Sequence, residues 1–492
     1  MTASIRDQLA LAPVMLAPPR VAGLDPDEQL LLDRLFKLWA AKRPRNLLRQ
    51  LYADGHVKPK NLGISVPDDV AEMLGVVVGW PAKAVFGLAD RCIWDGAIGL
   101  DGSEDPFELD IILDANQFGL EIDQVIASAL TQSVAFITVT PGDATAGEPE
   151  VAIAGHSAQW ASALWDRPRR RLLAGMTIND VDGQGQPVSL TLYTASEVVH
   201  CATAGAGWYP AAVWPHRLGR VPMEALPYEP SLDRPMGRSR ITRDVMSITQ
   251  RAMRTILRED IAQELFTVPG MLLRGVDKET FEQIHSWTWR AGAVKGISRD
   301  EEGDVPEVDW TPQASTQPFV EQLRELAAEF AGATSLPLSS LGVIQDNPSS
   351  AEAIAAAKED LVIKAQRSCR TWDSPIARVY QDAVMIRDGL AEAPEELRRV
   401  RTRWGDPAKP SVVSQADAVS KQIAAIPWIG ESTVALEALG YSEGQIRRLL
   451  ADKRRAEAGA TLDKLAALAQ PEQQPVTEEP EAEAPGQGGL TT

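Results

Sequence analysis

A chain of 492 residues, 44% hydrophobic and 24% charged, lies in the globular range and is long enough for several packed units. Its formal net charge of −19 excludes a tight non-specific DNA binder, whose affinity rests on cations that neutralise phosphates, and leaves only weak, sliding contact with DNA open. No apolar run reaches the roughly 20 residues needed to cross a bilayer, and Met1 to Pro13 lacks a basic segment followed by a continuous apolar one, so a soluble, cytosolically made chain with no membrane partner is expected.

Asp25-Pro26-Asp27 supplies the cap and first turn of a helix that Leu31, Leu35 and Trp39 continue, and a second helix is expected after Trp80-Pro81. After Asn116 the pattern becomes short and alternating. Val134 to Thr140, Glu150 to Ala154 and Val188 to Thr194, the last preceded by the turn Asp182-Gly183-Gln184-Gly185, predict an antiparallel sheet of hairpins ending near Arg220-Val221-Pro222. From Ser239 to Phe266 the period is 3.6, with Ile241, Val245, Ile248, Ala252 and Ile256 on one stripe and Pro269-Gly270 as the stop. The same stretch carries Arg240, Arg243, Arg251, Arg254 and Arg258 on a second, narrow face. Such a face is either solvated and salt-bridged, the commoner arrangement, or turned towards DNA.

Residues Met271 to Thr316 mix alternating stretches with the acidic turn Asp300-Glu301-Glu302-Gly303-Asp304 and read as a small inserted α/β module. Helical spacing returns with Phe319, Leu323, Leu326 and Phe330 and is expected to stop at Gly332, ahead of Pro337. In Asp346-Asn347-Pro348-Ser349-Ser350-Ala351-Glu352, Ser349 and Glu352 have the spacing of a capping box. The long helix it opens runs on through Ile354, Leu361, Ala365, Cys369 and Trp372 to Pro375, where it kinks or restarts. Short helices after Ser414, at Val434 to Leu439 and from Ser442 towards Leu468 suggest a helical cap, and the Pro- and Glu-rich chain from Pro471 onward reads as a disordered acidic tail.

No catalytic constellation is visible. Cys92, Cys201 and Cys369 are too scattered for a disulfide framework or a metal clip, and His56, His156, His200, His216 and His285 form no ligand pair. There is no phosphate loop: Gly205-Ala206-Gly207 runs into Trp208-Tyr209-Pro210, where no helix can begin. A nucleophile elbow is missing as well. The residues therefore give no catalytic group, no metal site and no cofactor, and the chain is expected not to be an enzyme. Thirteen tryptophans in so acidic a chain read as packing residues and not as a platform for nucleic-acid bases.

The order of segments, with Leu51-Tyr52-Ala53-Asp54-Gly55, Gly79-Trp80-Pro81 with Val85 and Arg91, Arg220-Val221-Pro222, Gly237-Arg238-Ser239, and Leu336-Pro337-Leu338-Ser339-Ser340-Leu341-Gly342 ahead of Asn347-Pro348-Ser349-Ser350-Ala351-Glu352-Ala353-Ile354, resembles the portal (head-to-tail connector) proteins of tailed bacteriophages. These pieces span about residues 30 to 385 in family order. The resemblance implies an α+β portal fold: a β-rich wing (1–237), a stem helix (238–267), a small α/β clip (268–316), a returning stem helix (317–336), a tunnel loop with its long helix (337–388), a helical crown (389–470) and the tail (471–492). It further implies a ring of twelvefold symmetry at one capsid vertex, a dodecamer through which double-stranded DNA is packaged and ejected. Its implied partners are the terminase, the major capsid and scaffold proteins and the head-tail adaptor. The place is the virion, after assembly in the host cytoplasm. Gln345, Asp346, Asn347, Ser349 and Ser350 are expected at the narrowest part of the channel, and the stem arginines are expected to meet a neighbouring subunit's acids. The rival readings are another virion structural or scaffold protein, or a phage-encoded hydrolase.

Overall fold

The computed structural model describes residues 17–60, 74–99, 105–143, 145, 147–205, 207–266, 271–274, 307–310, 315–342, 351–408, 412–441 and 443–468. Contacts divide the chain into two units, Met1–Ala408 and Lys409–Thr492. The first begins with α1 (Pro26–Ala53), α2 (Trp80–Ala89), β1 (Trp94–Ile98), α3 (Leu109–Ala115) and α4 (Phe118–Gln132). Eight strands follow: β2 (Val134–Pro141), β3 (Val151–Ser157), β4 (Ala161–Asp166), β5 (Arg171–Val181), β6 (Pro187–Tyr193), β7 (Glu197–Ala204), β8 (Gly207–Pro215) and β9 (Met223–Pro227). Then come α5 (Arg243–Phe266), β10 (Met271–Arg274), β11 (Glu307–Trp310), α6 (Gln317–Thr334), α7 (Ala351–Arg387), α8 (Glu395–Arg398) and β12 (Arg401–Trp404).

Strands β4 to β8 form one five-stranded antiparallel sheet in sequential order, and β3-β2-β9 form a second sheet of three. Alternation in β5 and β6 sends Ala174, Met176, Ile178, Leu190 and Leu192 to one face, where Leu32, Leu35, Phe36 and Trp39 of α1 cover them. The Trp39 indole donates to the Gln159 carbonyl at 2.8 Å, which fixes the helix on its sheet. Between the two sheets Phe136, Leu172, Tyr193 and Met223 make a second small core. A Cβ at Gly175 would collide with the Met223 sulfur, so glycine here lets the sheets approach without displacing that side chain. The largest core joins α2, α4, the three-stranded sheet, α5, α6 and α7, with Phe118, Phe330, Trp372 and Tyr380 all fully buried.

Several expectations are corrected. The region after Asn116 is not wholly β: Phe118, Ile122, Val125, Ile126 and Ala129 form the buried face of α4 before the first of these strands. The helix expected from Ser239 begins at Arg243, because Ser239, Arg240 and Ile241 are buried non-helical chain leading into it. Gly332 does not end α6, which runs to Thr334 with Ser335 taking the left-handed position. Of the two alternatives at Pro375, the restart is excluded, because α7 is continuous through it. Residues 395–404 belong to the first unit, where β12 pairs antiparallel with β1 (Trp94 opposite Trp404). Of the inserted module, the described part is the two-stranded β10–β11 ladder.

The second unit, within its described residues, holds α9 (Val412–Ala425), α10 (Thr433–Ala438) and α11 (Glu443–Leu468), with Val419, Ala435 and Ile446 buried. The expected acidic tail lies outside the described residues.

Candidate functional site

The expected basic face of the stem is the place to start, and its five arginines do not share one environment. Arg240 sits ahead of α5 and is 4% exposed. Its backbone amide donates to the Leu130 carbonyl at 2.8 Å, while its guanidinium reaches the Ala84 carbonyl, the Tyr228 hydroxyl at 3.1 Å and the Thr334 carbonyl at 2.6 Å. One side chain thus fastens α2, α6 and the chain after β9 together. The Thr334 carbonyl, at the C-terminus of α6, is a suitable partner because the macrodipole leaves it partly negative. Arg240 is therefore removed from the expected exposed face by burial.

Arg251 pairs with Glu329 of α6 at 2.6 Å, both side chains partly exposed, and Thr255 donates to Gln322 at 3.2 Å. Residue 251 meets 329 and 255 meets 322, so α5 and α6 are antiparallel, and the β10–β11 ladder follows and precedes their chain ends. The Arg251 partner is thus an acid of the same chain. Arg243 and Arg258 are exposed and Arg254 is half-buried, none with an ion pair among the described residues. Gln345, Asp346, Asn347, Ser349 and Ser350 lie outside the described residues.

Two further motifs acquire a physical reason. Arg220 binds the carboxylate of Asp382 on α7 at 2.7 Å, and Arg378 of α7 makes a two-pronged pair with Glu224 of β9, 2.7 Å on each prong. Burial pushes the Asp382 carboxyl up to about 7 despite the guanidinium beside it. Gly237 takes φ +67°, and a Cβ there would collide with the Tyr228 backbone, which accepts from the Arg238 amide at 2.8 Å. Trp80 packs against Phe330, with ring centroids 5.5 Å apart. These motifs hold the helices to the sheet; none carries chemistry.

The remaining reactive groups are equally quiet. Hydrogen bonding to Cys369 and burial push the Cys92 thiol far up, and burial pushes Cys201 up to about 11, so neither is a nucleophile. Burial lowers His156 to about 4. Among the described residues no group of three His, Cys, Asp or Glu side chains is placed to hold a metal, and no helix is long and apolar enough to cross a membrane.

The family model of the phage portal protein, SPP1 Gp6-like, matches residues 77–436, well over half of the chain. The chain belongs to that family. Its role is accordingly that of a phage portal, the channel at a capsid vertex. Portal proteins of Mycobacterium phage L5 and Mycobacterium phage D29 are each 28% identical, over 389 and 386 residues, covering 75% of this chain and 77% of each relative. A chain in the virion of a native gene transfer agent particle is similar at a TM-score of 0.43 and 12% identity, covering 78% of this chain and 95% of that one. A chain in the neck of the native particle, computed with C12 symmetry, is similar at 0.40 and 14%, covering 82% and 98%.

Proposed function

We propose that this portal subunit works as one member of a closed ring, about twelve strong, through whose centre double-stranded DNA enters and leaves the capsid. The observation that carries the reading is family membership over residues 77–436. In it the wing is 1–237, the stem is the antiparallel pair α5 and α6 (238–267 and 317–336), the clip is 268–316, the tunnel loop and long helix are 337–388, the crown is 389–470 and the tail is 471–492. The pairing of Arg251 with Glu329 supports α5 and α6 as a rigid two-helix strut, and the ladder between their chain ends supports a small clip. Channel residues are Gln345, Asp346, Asn347, Ser349 and Ser350, a polar loop ahead of α7 that offers phosphates no cation to adhere to. The chain performs no catalysis of its own; the terminase supplies the motor, and the capsid, scaffold and adaptor proteins are its other partners in the virion.

A ring built this way is heterologous: each copy offers two different surfaces, and the rotation between them closes. Electron microscopy of the full-length protein tests it. Rings of about twelve with a central hole are expected; a compact monomer at all salt concentrations would return the scaffold and hydrolase readings.

A further inference from the structure

Although the chain is strongly acidic overall, one face of its first unit is basic. Lys42, Arg45 and Arg49 of α1 line a cleft of about 490 Å³ together with Gln132 and Ser133, at the C-terminal end of α4, and the loop 233–238. The same loop, with Lys364 and Arg367 of α7, lines a second cleft of about 400 Å³, and the two clefts share Arg234 and Arg238. Seven cations thus face two carboxylates, Glu229 and Asp233, and among the described residues the single ion pair inside this belt is Arg238 with Glu229 at 2.6 Å. The crowding is felt: burial and the neighbouring Arg45 lower Arg49 to about 10, and burial and Arg240 lower Lys364. Leu232, immediately ahead of this loop, is 91% exposed.

The opposite end of the same helices carries the opposite charge. Asp105, Glu108 and Asp114 around α3, and Glu150 at the start of β3, are exposed there without an ion-pair partner among the described residues beyond the field of Arg387, which is itself paired with Asp388. Exposed Ile111 and Leu120 lie among them. Helix α4 runs from this corner to the belt, about 22 Å at 1.5 Å per residue, and α7 returns from Arg367 to Arg387 over about 30 Å. The first unit therefore has a basic end and an acidic end, each with exposed apolar side chains.

Resting on the ring reading, we infer that the belt of Lys42, Arg45, Arg234 and Arg367 docks the acidic α3 corner of the next copy of this chain. A closed ring needs two unlike surfaces on each copy, and these two complement each other in charge and in apolar area. The pairing also answers the self-repulsion of an acidic subunit, since each junction sets local opposite charges against the long-range like ones. The belt's occupant is carboxylate-rich protein, and DNA phosphate is the competing anion.

The test uses full-length chains and exposed positions. A belt variant, Arg234→Glu with Arg367→Glu, and a corner variant, Asp114→Lys with Glu150→Lys, are each expected to fold, by circular dichroism, and to lose ring yield roughly tenfold or more. Mixed in equal amounts, the two are expected to regain rings, because the altered belt of one now matches the altered corner of the other while their unaltered ends match as before, and native mass spectrometry is expected to find both in equal numbers. No recovery on mixing, or undiminished rings in the belt variant alone, overturns the inference. Intact belt-variant rings that lose binding to duplex DNA would assign the belt to phosphate instead. A wild-type chain that forms no ring under the same conditions defeats the ring reading itself, a separate result from wild-type and variant rings that are alike.

Discussion

The chain around α5 contains the same residue type in two environments. At its head Arg240 is enclosed and every accepting atom is neutral. Three turns on, Arg251 faces a carboxylate and water. The first is a fixture, because its desolvation is offset only while all its partners are in place. The second is a strut brace that solvent and salt can replace. Charge alone does not tell what an arginine does; the number of partners and their access to water do.

The largest effect should come from the fixture. Arg240→Ala removes the guanidinium's bonds to two buried carbonyls and to the Tyr228 hydroxyl and leaves a void in the core, and about 4 kcal/mol of stability should be lost, read as a shift of the denaturant midpoint. A loss below 1 kcal/mol would erase the distinction between head and body. Gly237→Ala acts on the turn that delivers Arg240, where positive φ and contact with the Tyr228 backbone both oppose a side chain; about 2 to 3 kcal/mol is expected by the same measurement.

Asp382 tests whether a buried charge can be half-satisfied. Its folded pKa, about 7, lies above the unfolded value, so the folded state holds its proton longer. The contribution to stability is fully present below about pH 4 and lost as pH rises through 7. Thermal melts at pH 5 and pH 8 should therefore differ more for the wild type than for Asp382→Asn, and an equal difference would mean that Arg220 keeps the carboxylate charged. The smallest effect belongs to the brace. Glu329→Gln should cost under about 1 kcal/mol, and the difference from wild type should fade in high salt.

Local pattern was readable wherever one face of an element is buried. The strands near Val134 and Val188, the turn at Asp182 and the helix at Trp80 follow from alternation, turn residues and a proline at the first helical position. The α4 signal was present too, in the spacing of Phe118, Ile122, Val125 and Ala129, but a run of strands follows it on the chain and it was absorbed into them. Arg240 could not be read, because arginine is so seldom buried that helical periodicity placed it on the outer face. The basic belt was invisible for another reason. Its cations come from three segments, near 42–49, 234–238 and 364–367, which only the fold brings together, and the chain's acidity hides them in any overall count.

The pairing of β1 with β12 has a consequence for synthesis. The five-stranded sheet joins each strand to its successor, and α1, which covers it, has been made earlier, so this part is complete once residue 215 has left the ribosome. The main core is different. It waits for Trp372, Tyr380 and Val400, and β1 stands without its partner until residue 404 emerges. For almost 200 residues of translation a folded N-terminal portion coexists with bare apolar surface on α2 and α4. A nascent subunit is therefore most prone to aggregate in that interval, and premature termination between 230 and 370 should give chains that hold the five-stranded sheet yet fail to remain soluble.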